Sequence, residues 1–343
     1  GREAMKAAIY SGPGSIGVKE RALPEPEPGW VRVGVTAAGI CGSDLHIYHA
    51  ALGNPSGMQP GHEVAGVIDA IGDGVSTPTG SHVAVEPILG CGGCHSCHTG
   101  KANLCPDTRL FGIALPGGLA EYVCVPETLV HTLPADLSRT AAGLSEPMAV
   151  CVRGARIGRI SVGDRVAIIG AGTIGLLSIV TAKEAGASEV LITARHPHQQ
   201  ELAKALGADR VYPSSKELLA DVGDQFVDVV VETVGGETET LAESVHVART
   251  GGRISLVGVF TGNPKLPGMP FFSKELTLAA SNCYSREEDQ GDFALGARLT
   301  AKHASLIEPL VTHTFSLDEV ARAFATADDK SNRTIKVQIQ PGA

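Results

Sequence analysis

The chain is most constrained by residues 166–177, which read Val-Ala-Ile-Ile-Gly-Ala-Gly-Thr-Ile-Gly-Leu-Leu. Four apolar residues lead into the pattern Gly-x-Gly-x-x-Gly, and an apolar helical pattern follows. A buried parallel strand that turns tightly into a helix presents free N–H groups to a pyrophosphate. The glycines would make the turn, admit the phosphates and let helix and strand pack closely, in that order. We therefore expect a dinucleotide to contact Gly170, Gly172, Thr173, Ile174 and Gly175.

A glycine-rich turn also occurs for packing alone, so the segments around it matter. Short apolar runs alternate with helical patterns from residue 165 onwards. The pattern predicts strands over residues 165–170, 189–193, 227–231, 253–258 and 275–280, and helices over 174–185, 199–206 and 238–248. Alternation of this kind is typical of a doubly wound parallel sheet with helices on both faces.

The first third of the chain has a different pattern. Apolar and polar residues alternate, and proline and glycine breaks separate short runs at 30–35, 64–71, 83–85 and 120–125. This indicates a β-rich barrel or sandwich. Because the last residues, 334–339, again read as a strand, we expect the tail to fold back onto this first domain. The predicted domains are 5–147, then the wound domain 148–281, then the return segment 282–343.

Composition excludes several classes of protein. The formal charge is −9, which argues against non-specific binding to nucleic acid or to an anionic membrane surface. No apolar run reaches the roughly 20 residues that a membrane-spanning helix needs, and no charged-then-apolar signal segment is found. We expect a cytoplasmic enzyme that acts on a small molecule.

Four of the eight cysteines lie close together, at Cys91, Cys94, Cys97 and Cys105. Clustering in a long chain favours metal binding over disulfides. Four thiolates at this spacing can close a tetrahedral shell around Zn²⁺ and leave no position for water or substrate. We predict a structural zinc in a lobe spanning residues 88–106.

A second set of candidate ligands is scattered along the chain. Cys41 opens Cys-Gly-Ser-Asp-Leu-His, His62 and Glu63 follow Gly61, and Glu146 lies in Ser-Glu-Pro. A single histidine beside a turn is more often a structural residue. Together, a thiolate, an imidazole and two carboxylates are the ligand types of a catalytic zinc with an exchangeable position.

These motifs, in this order, resemble the zinc-dependent medium-chain dehydrogenase/reductase family of alcohol, polyol, butanediol and threonine dehydrogenases. The resemblance covers residues 5–340. It implies a GroES-like catalytic domain that is split in sequence around a Rossmann domain, an α/β plus β fold that agrees with the discontinuous organisation above.

The resemblance also implies roles for the scattered residues. Cys41 and His62 correspond to two ligands of the catalytic zinc. Glu63 corresponds to the carboxylate that binds the metal in polyol-type members, and Glu146 stands where ethanol-type members carry a second cysteine. Glu63, Glu146 and water would share the remaining positions. Asp44 would either orient the His62 ring or cap its own loop.

The activity implied is hydride transfer between an alcohol or polyol and a nicotinamide cofactor. Zinc would polarise the substrate oxygen. Ser43 would accept the substrate proton and pass it, through a ribose hydroxyl of the cofactor, toward His46 and solvent. The alternative for His46 is an ordinary surface residue.

The choice of cofactor depends on the residues after the second predicted strand of the wound domain. An acidic residue normally stands there and binds the ribose hydroxyls of NAD. Here Ala194 occupies that position and Arg195 follows it. Loss of the carboxylate removes repulsion of a 2′-phosphate, and a guanidinium adds a charge-assisted partner. We expect NADP to be preferred over NAD, although Arg195 could also be merely solvated.

The substrate is the least determined feature. Tyr48 and Phe111 are candidates either for the pocket or for core packing. The alternatives to an NADP-linked polyol dehydrogenase are an NAD-linked butanediol- or threonine-type dehydrogenase, a zinc-free reductase of the same fold, and a non-catalytic nucleotide-binding sensor. The resemblance also implies a homo-oligomer, either a tetramer or a dimer.

Overall fold

The computed structural model describes residues 2–287 and 290–342. The chain divides into two compact units, which are described separately. One is assembled from two pieces, the chain up to Glu146 and again from Ser285, and is called the split unit. The other, Pro147–Tyr284, is called the inserted unit.

The strands of the described residues number seventeen. In chain order they are β1 (Ala4–Gly12), β2 (Ser15–Ala22), β3 (Trp30–Ile40), β4 (Glu63–Ile71), β5 (His82–Val85), β6 (Ile88–Leu89), β7 (Arg109–Leu110), β8 (Tyr122–Pro126), β9 (Val130–Thr132), β10 (Arg165–Ile169), β11 (Glu189–Thr193), β12 (Arg210–Tyr212), β13 (Val227–Glu232), β14 (Ala248–Leu256), β15 (Thr277–Ala280), β16 (Val311–Phe315) and β17 (Lys336–Ile339).

The α-helices of the same residues number twelve. They are α1 (Gly42–Tyr48), α2 (His95–His98), α3 (Arg139–Ala142), α4 (Ser145–Ile157), α5 (Thr173–Glu184), α6 (Pro197–Ala205), α7 (Ser215–Val222), α8 (Thr240–Val247), α9 (Gly268–Ser273), α10 (Asp292–Lys302), α11 (Ala304–Ile307) and α12 (Val320–Asp328). None of them is long and apolar enough to cross a membrane.

The split unit is built around strand β3. Its side chains alternate between buried and half-buried positions, as expected for a strand with one face toward a core. The main sheet has the order β16-β17-β3-β4-β5-β9, and β8 also pairs with β3. Strand β17 pairs antiparallel with β3, with Val337 opposite Ile40. The end of the chain therefore completes the sheet that the beginning of the chain starts.

An ion-pair network around the buried carboxylate of Glu86 joins distant parts of the split unit. Glu86, which follows β5, lies 2.8 Å from His131 Nε2 and accepts hydrogen bonds from Arg286. Arg286 also donates through Nη2 to the carbonyl of Thr128, and its backbone N–H donates to Gly100 in the cysteine-rich lobe. The segment that re-enters the unit after Tyr284 is thus attached both to the sheet and to the lobe.

The inserted unit is a six-stranded parallel sheet in the order β12-β11-β10-β13-β14-β15. From β10 the chain builds one side through β11 and β12 and then returns to build the other through β13, β14 and β15. The order therefore reverses between β10 and β13, which is where such sheets bind ligands. All six residues of β13 are buried, as expected for a strand covered on both faces.

The predicted fold class is confirmed, with differences at the ends of elements. Strand β12 was missed because three residues are too few to show a pattern. Helix α6 begins at Pro197, two residues before its predicted start, because His196 serves as the N-cap and proline is favoured in the first turn. Strand β14 begins at Ala248, five residues early, and includes the Gly251-Gly252 pair, which lies outside the predicted strand.

Candidate metal centres and dinucleotide turn

The four-cysteine lobe brings its sulfur atoms together. The Sγ atoms of Cys91, Cys94, Cys97 and Cys105 all lie within 4.8 Å of one another. Backbone N–H groups point at two of them: Cys97 N lies 3.5 Å from Cys94 Sγ, and Cys91 N lies 3.4 Å from Cys105 Sγ. Such N–H contacts favour thiolate over thiol. A soft all-sulfur donor set of this size fits a closed tetrahedral zinc site.

The pKa values of two thiols in this lobe are shifted in opposite directions. The N–H of Gly93 is the main cause that lowers the pKa of Cys91, to about 7. A hydrogen bond from Gly92 acts in the same direction on Cys97, but burial and the neighbouring sulfurs outweigh it and raise the pKa of Cys97 to about 11. Four crowded sulfurs cannot all hold negative charge without a shared cation, which is the behaviour expected of a metal-binding set.

The second group is centred on His62 and lies in the split unit. Asp44, on α1, is fully buried, and its Oδ2 accepts the backbone N–H of Cys41 at 2.9 Å. Its other oxygen, Oδ1, lies 3.6 Å from Nδ1 of His62. Both of these atoms are buried without a hydrogen-bond partner among the described residues. Asp44 therefore caps α1 and faces the imidazole at the same time.

The surroundings of His62 favour positive charge. Burial, the largest single influence, lowers the pKa of this histidine, but Asp44 and the Cys41 sulfur together outweigh it and raise the pKa well above 6.5. With Nδ1 turned toward a carboxylate, the other ring nitrogen is left for a metal, which is the usual arrangement around a zinc-binding histidine. Cys41 and His62 could hold such an ion.

Glu63 has a partner that the sequence did not reveal. Lys336 Nζ, from β17, lies 2.9 and 2.8 Å from the two carboxylate oxygens of Glu63 and donates to the Ile40 carbonyl at 3.0 Å. Both side chains are almost fully buried, at 5% and 1% exposure. The one sequence signal was a lysine inside the apolar run of the last strand, where an unpaired charge would be costly.

The pKa of Lys336 also depends on the other candidate ligands. Burial lowers its pKa, but Glu63, with smaller contributions from Cys41 and Glu146, outweighs burial and raises it above 10.5. Glu146 is itself buried, near the start of α4. The four candidate ligands from the sequence thus share one neighbourhood in the split unit.

They do not form one compact shell. Within the ranges 2–287 and 290–342, the cysteine lobe is the only group of three or more metal-binding side chains with every ligand atom within 4.8 Å of the others. The Glu63 carboxylate is bound to Lys336 instead. That Glu63 and Glu146 share one ion with Cys41 and His62 stays a prediction.

Of the four remaining candidates of the split unit, Ser43, His46 and Tyr48 lie on α1. Ser43 is half-buried in its first turn, and His46 is exposed in its last turn. Tyr48 packs against Phe324, with ring centres 5.2 Å apart. Phe111 is buried and meets the Trp30 ring edge-on at 6.1 Å. Both rings therefore belong to the aromatic packing of the unit.

The dinucleotide turn uses each glycine differently. Gly170 has a φ of +103°, which side chains rarely adopt. Gly172 is the N-cap of α5, and a Cβ added there would meet nothing within 4 Å. A Cβ on Gly175 would lie 2.0 Å from the carbonyl oxygen of Gly170. Only Gly172 therefore keeps open space beside the helix N-terminus, where a phosphate would approach.

The position predicted to select the cofactor follows β11. Ala194 is buried, and Arg195 and His196 after it are exposed. The rings of His196 and His198 stack with centres 5.8 Å apart at the start of α6. Arg195 forms no ion pair or hydrogen bond with any residue that the structure describes. Residues 194–200 include one arginine and two histidines but no aspartate or glutamate.

Two family models match the chain. One, described as an alcohol dehydrogenase GroES-like domain, matches residues 27–135, and the other, described as a zinc-binding dehydrogenase, matches residues 173–298. The chain is 33% identical to a 2-dehydro-3-deoxy-L-galactonate 5-dehydrogenase of Pseudoalteromonas atlantica, over 94% of this chain and 95% of that protein. It is 31% identical to a sorbitol dehydrogenase of Bacillus subtilis, over 98% and 97%.

Solved structures agree on the whole fold. A zinc-binding dehydrogenase of Sinorhizobium meliloti bound to NADP is 30% identical, with a TM-score of 0.90 over 99% of this chain and 100% of that one. An Escherichia coli protein described as a short chain alcohol dehydrogenase, complexed with NADH, is 30% identical, with a TM-score of 0.89 over the same shares. Similar chains thus hold either nicotinamide cofactor.

Proposed function

Because the chain belongs to the zinc-binding alcohol dehydrogenase family, and so is an NAD(P)-linked oxidoreductase of alcohols, we propose that it is a zinc-dependent, NADP-preferring enzyme. It would oxidise a secondary hydroxyl group of a polyol or a sugar acid and reduce the corresponding ketone. The observation that carries zinc dependence is the group formed by half-buried Cys41 with buried His62 and Asp44, in which a carboxylate faces Nδ1 of the imidazole.

Cys41 and His62 would hold the catalytic zinc. When bound, the ion supplies Lewis-acid polarisation of the substrate oxygen and so eases its loss of a proton. With the ion bound, Asp44 Oδ1, which lies 3.6 Å from Nδ1 of His62, would hold the ring and so fix the tautomer and the direction of the other nitrogen. Because Asp44 also caps α1 at Cys41, a single buried carboxylate orients both ligands.

Lys336 controls the third candidate ligand. Its two contacts with Glu63 neutralise that carboxylate and hold it in place. Glu63 would have to give up part of this ion pair to reach the metal, so the pair sets how readily the carboxylate competes with substrate. Glu146 remains the second carboxylate available to the site.

The substrate proton needs a path outward. Ser43, a half-buried residue two positions after Cys41, would accept that proton. His46, one turn further along α1 and exposed, would exchange it with solvent. The Ser43→Ala variant should lose most of kcat and keep its zinc content, whereas His46→Gln should mainly alter the pH dependence.

The preference for NADP rests on the end of β11. An aspartate or glutamate at position 194 would repel a 2′-phosphate, and Ala194 removes that repulsion. Arg195 is exposed and unpaired, so a phosphate would not have to displace an existing partner. The stacked rings of His196 and His198 add donors beside it.

Kinetics with both cofactors test this preference. We expect kcat/KM to favour NADP over NAD by about tenfold or more, and Arg195→Ala to remove most of that ratio. Ala194→Asp should reverse it, while Lys204→Ala, further along α6, serves as a control that leaves it unchanged. A tenfold preference for NAD in the unmodified enzyme would refute the assignment.

Metal analysis tests zinc dependence separately. The proposal predicts about two zinc ions per chain, with Cys41→Ser removing about one and abolishing alcohol oxidation. A fully loaded preparation with about one zinc per chain and undiminished activity would contradict it. A screen over sugar acids, sugar alcohols, vicinal diols and amino-alcohols identifies the substrate class. The similarity to an NADH complex makes an NAD-linked butanediol- or threonine-type enzyme the second candidate.

We also propose that the chain forms a homo-oligomer, a tetramer or a dimer. Strand β15 is an edge of the parallel sheet. Helix α9, just before it, exposes Met269 and Phe272 to 74% and 81%. An open edge beside exposed large apolar side chains is typical of an interface. Light scattering of the purified chain tests this, and Phe272→Asp should shift the mass toward the monomer.

A further inference from the structure

A buried carboxylate outside the metal centres lies beside the dinucleotide turn. Glu232 is the last residue of β13, is fully buried, and pairs in register with Ile169 at the end of β10. The chain turns into the glycine motif immediately after Ile169. Glu232 therefore ends its strand at the level where the nucleotide turn begins, on the same edge of the sheet.

Glu232 closes the two turns that follow its own strand and the next one. Its Oε1 accepts the backbone N–H groups of Val234 and Gly235 at 2.8 and 3.0 Å. Its carbonyl oxygen accepts those of Val257 and Gly258, both at 2.9 Å. Glu232 thus accepts four hydrogen bonds from backbone N–H groups that lie beyond the ends of β13 and β14. These groups have no partner in the regular hydrogen-bond pattern of the sheet.

The first of these turns is braced against the nucleotide turn. Thr233 donates to the Ile169 carbonyl through both its N–H, at 3.0 Å, and its hydroxyl, at 2.7 Å. A Cβ added to Gly170 would lie 2.6 Å from the side chain of Val234. A contact chain therefore runs from the Glu232 carboxylate through residues 233 and 234 to the first glycine of the motif.

The second carboxylate oxygen, Oε2, is buried and has no hydrogen-bond partner among the residues that the structure describes. It faces Gly258, where an added Cβ would lie 2.4 Å away. A half-satisfied buried carboxylate is costly, and natural proteins keep such costs mainly where geometry serves function. An apolar side chain would fill the space without that cost but would leave the Val234 and Gly235 donors unpaired.

We propose that Glu232 is a positioning residue for the dinucleotide: it holds turn 233–236 against Gly170 and so sets cofactor affinity. This rests on nicotinamide-nucleotide binding by the inserted unit but not on NADP being the preferred form. Removal of the carboxylate frees the turn, and cofactor binding must then order it again. The cost falls on NADPH and NADH alike.

Fluorescence titration with NADPH and with NADH tests the proposal. Glu232→Ala should raise both dissociation constants about tenfold or more, with kcat at saturating cofactor within about threefold of the unmodified enzyme. Glu232→Gln keeps an acceptor for both N–H groups and should stay within about threefold. Asp228→Asn, a buried carboxylate at the other end of β13, is the matched control and should lower thermal stability without moving either constant.

A loss of thermal stability in Glu232→Ala with unchanged dissociation constants would overturn the proposal. If that variant does not fold, Thr233→Val decides, because it removes only the hydroxyl bond to Ile169: raised constants support the proposal and unchanged ones refute it. If the unmodified enzyme favours NADH, only the proposed NADP preference is refuted. The role of Glu232 is tested separately, by the factor by which Glu232→Ala changes the dissociation constants of NADPH and NADH.

Discussion

Replacement of Lys336 by methionine gives the sharpest test of the site's electrostatics. The two side chains are 5% and 1% exposed, and Nζ lies 2.9 and 2.8 Å from the carboxylate oxygens. Lys336→Met keeps a similar volume but leaves the Glu63 charge buried and unpaired. Breaking a buried pair in this way costs about 3–5 kcal/mol. For a unit of this size that corresponds to a fall in Tm of about 6–20 °C.

Thermal unfolding of the metal-depleted protein at about pH 8 measures the loss under conditions where the lysine is charged and no metal ion can pair with Glu63. The raised pKa of Lys336 means that its contribution is fully present below 10.5 and is lost only at higher pH. The double variant Glu63→Gln/Lys336→Met removes both charges and should recover at least about 2 kcal/mol relative to Lys336→Met alone.

The same variant has a functional consequence. Without the lysine, Glu63 is free to move toward the metal, so kcat/KM for the alcohol should fall by at least about tenfold while zinc content is kept. The reasoning is refuted if Lys336→Met changes Tm by less than about 2 °C. It is equally refuted if the double variant is no more stable than the single one, because the penalty would then not come from the unpaired carboxylate.

Three further predictions concern other parts of the chain. Burial alone would raise the pKa of Glu86, but hydrogen bonds from His131 and Arg286 outweigh it and hold the pKa below 4.5. The contribution of Glu86 to stability is therefore present above that pH and lost on acidification. The Tm difference between the unmodified protein and Glu86→Gln should shrink as pH falls below about 4.5. Cys94→Ser should lower bound zinc by about one ion per chain and raise protease sensitivity in the lobe, with an unchanged zinc content contradicting this. Gly172→Ala should preserve Tm but weaken dinucleotide binding, whereas Gly175→Ala should lower Tm as well; equal Tm values for the two variants would argue against the packing role of the third glycine.

Much of the architecture followed from local patterns. The wound sheet was predicted because strands buried on both faces read as apolar runs, and β10, β11 and β13 do so over consecutive residues. Short elements such as β12 escaped because three residues carry too little periodicity. Element ends shifted where a cap or a glycine pair, rather than the hydrophobic pattern, decides the boundary.

Candidate site residues were accessible to sequence reasoning to different degrees. The cysteine lobe and the glycine turn are short motifs whose spacing reflects their geometry directly. Asp44 was a candidate for two roles, and the structure shows a position from which it can perform both, because it lies at the N-terminus of α1 and beside His62. Tyr48 left two alternatives open, and its contacts with Phe324 place it in the aromatic packing.

The sequence by itself determined the elements whose cause lies within a few residues: the parallel strands, the glycine turn after β10 and the cysteine spacing of the lobe. Tertiary structure alone decided which buried charges meet. Lys336 and Glu63 are 273 positions apart, and Glu232 braces a glycine motif about sixty positions upstream through Thr233 and Val234. Pairings of this kind leave no local periodicity, because they are set by which strands become neighbours in a sheet.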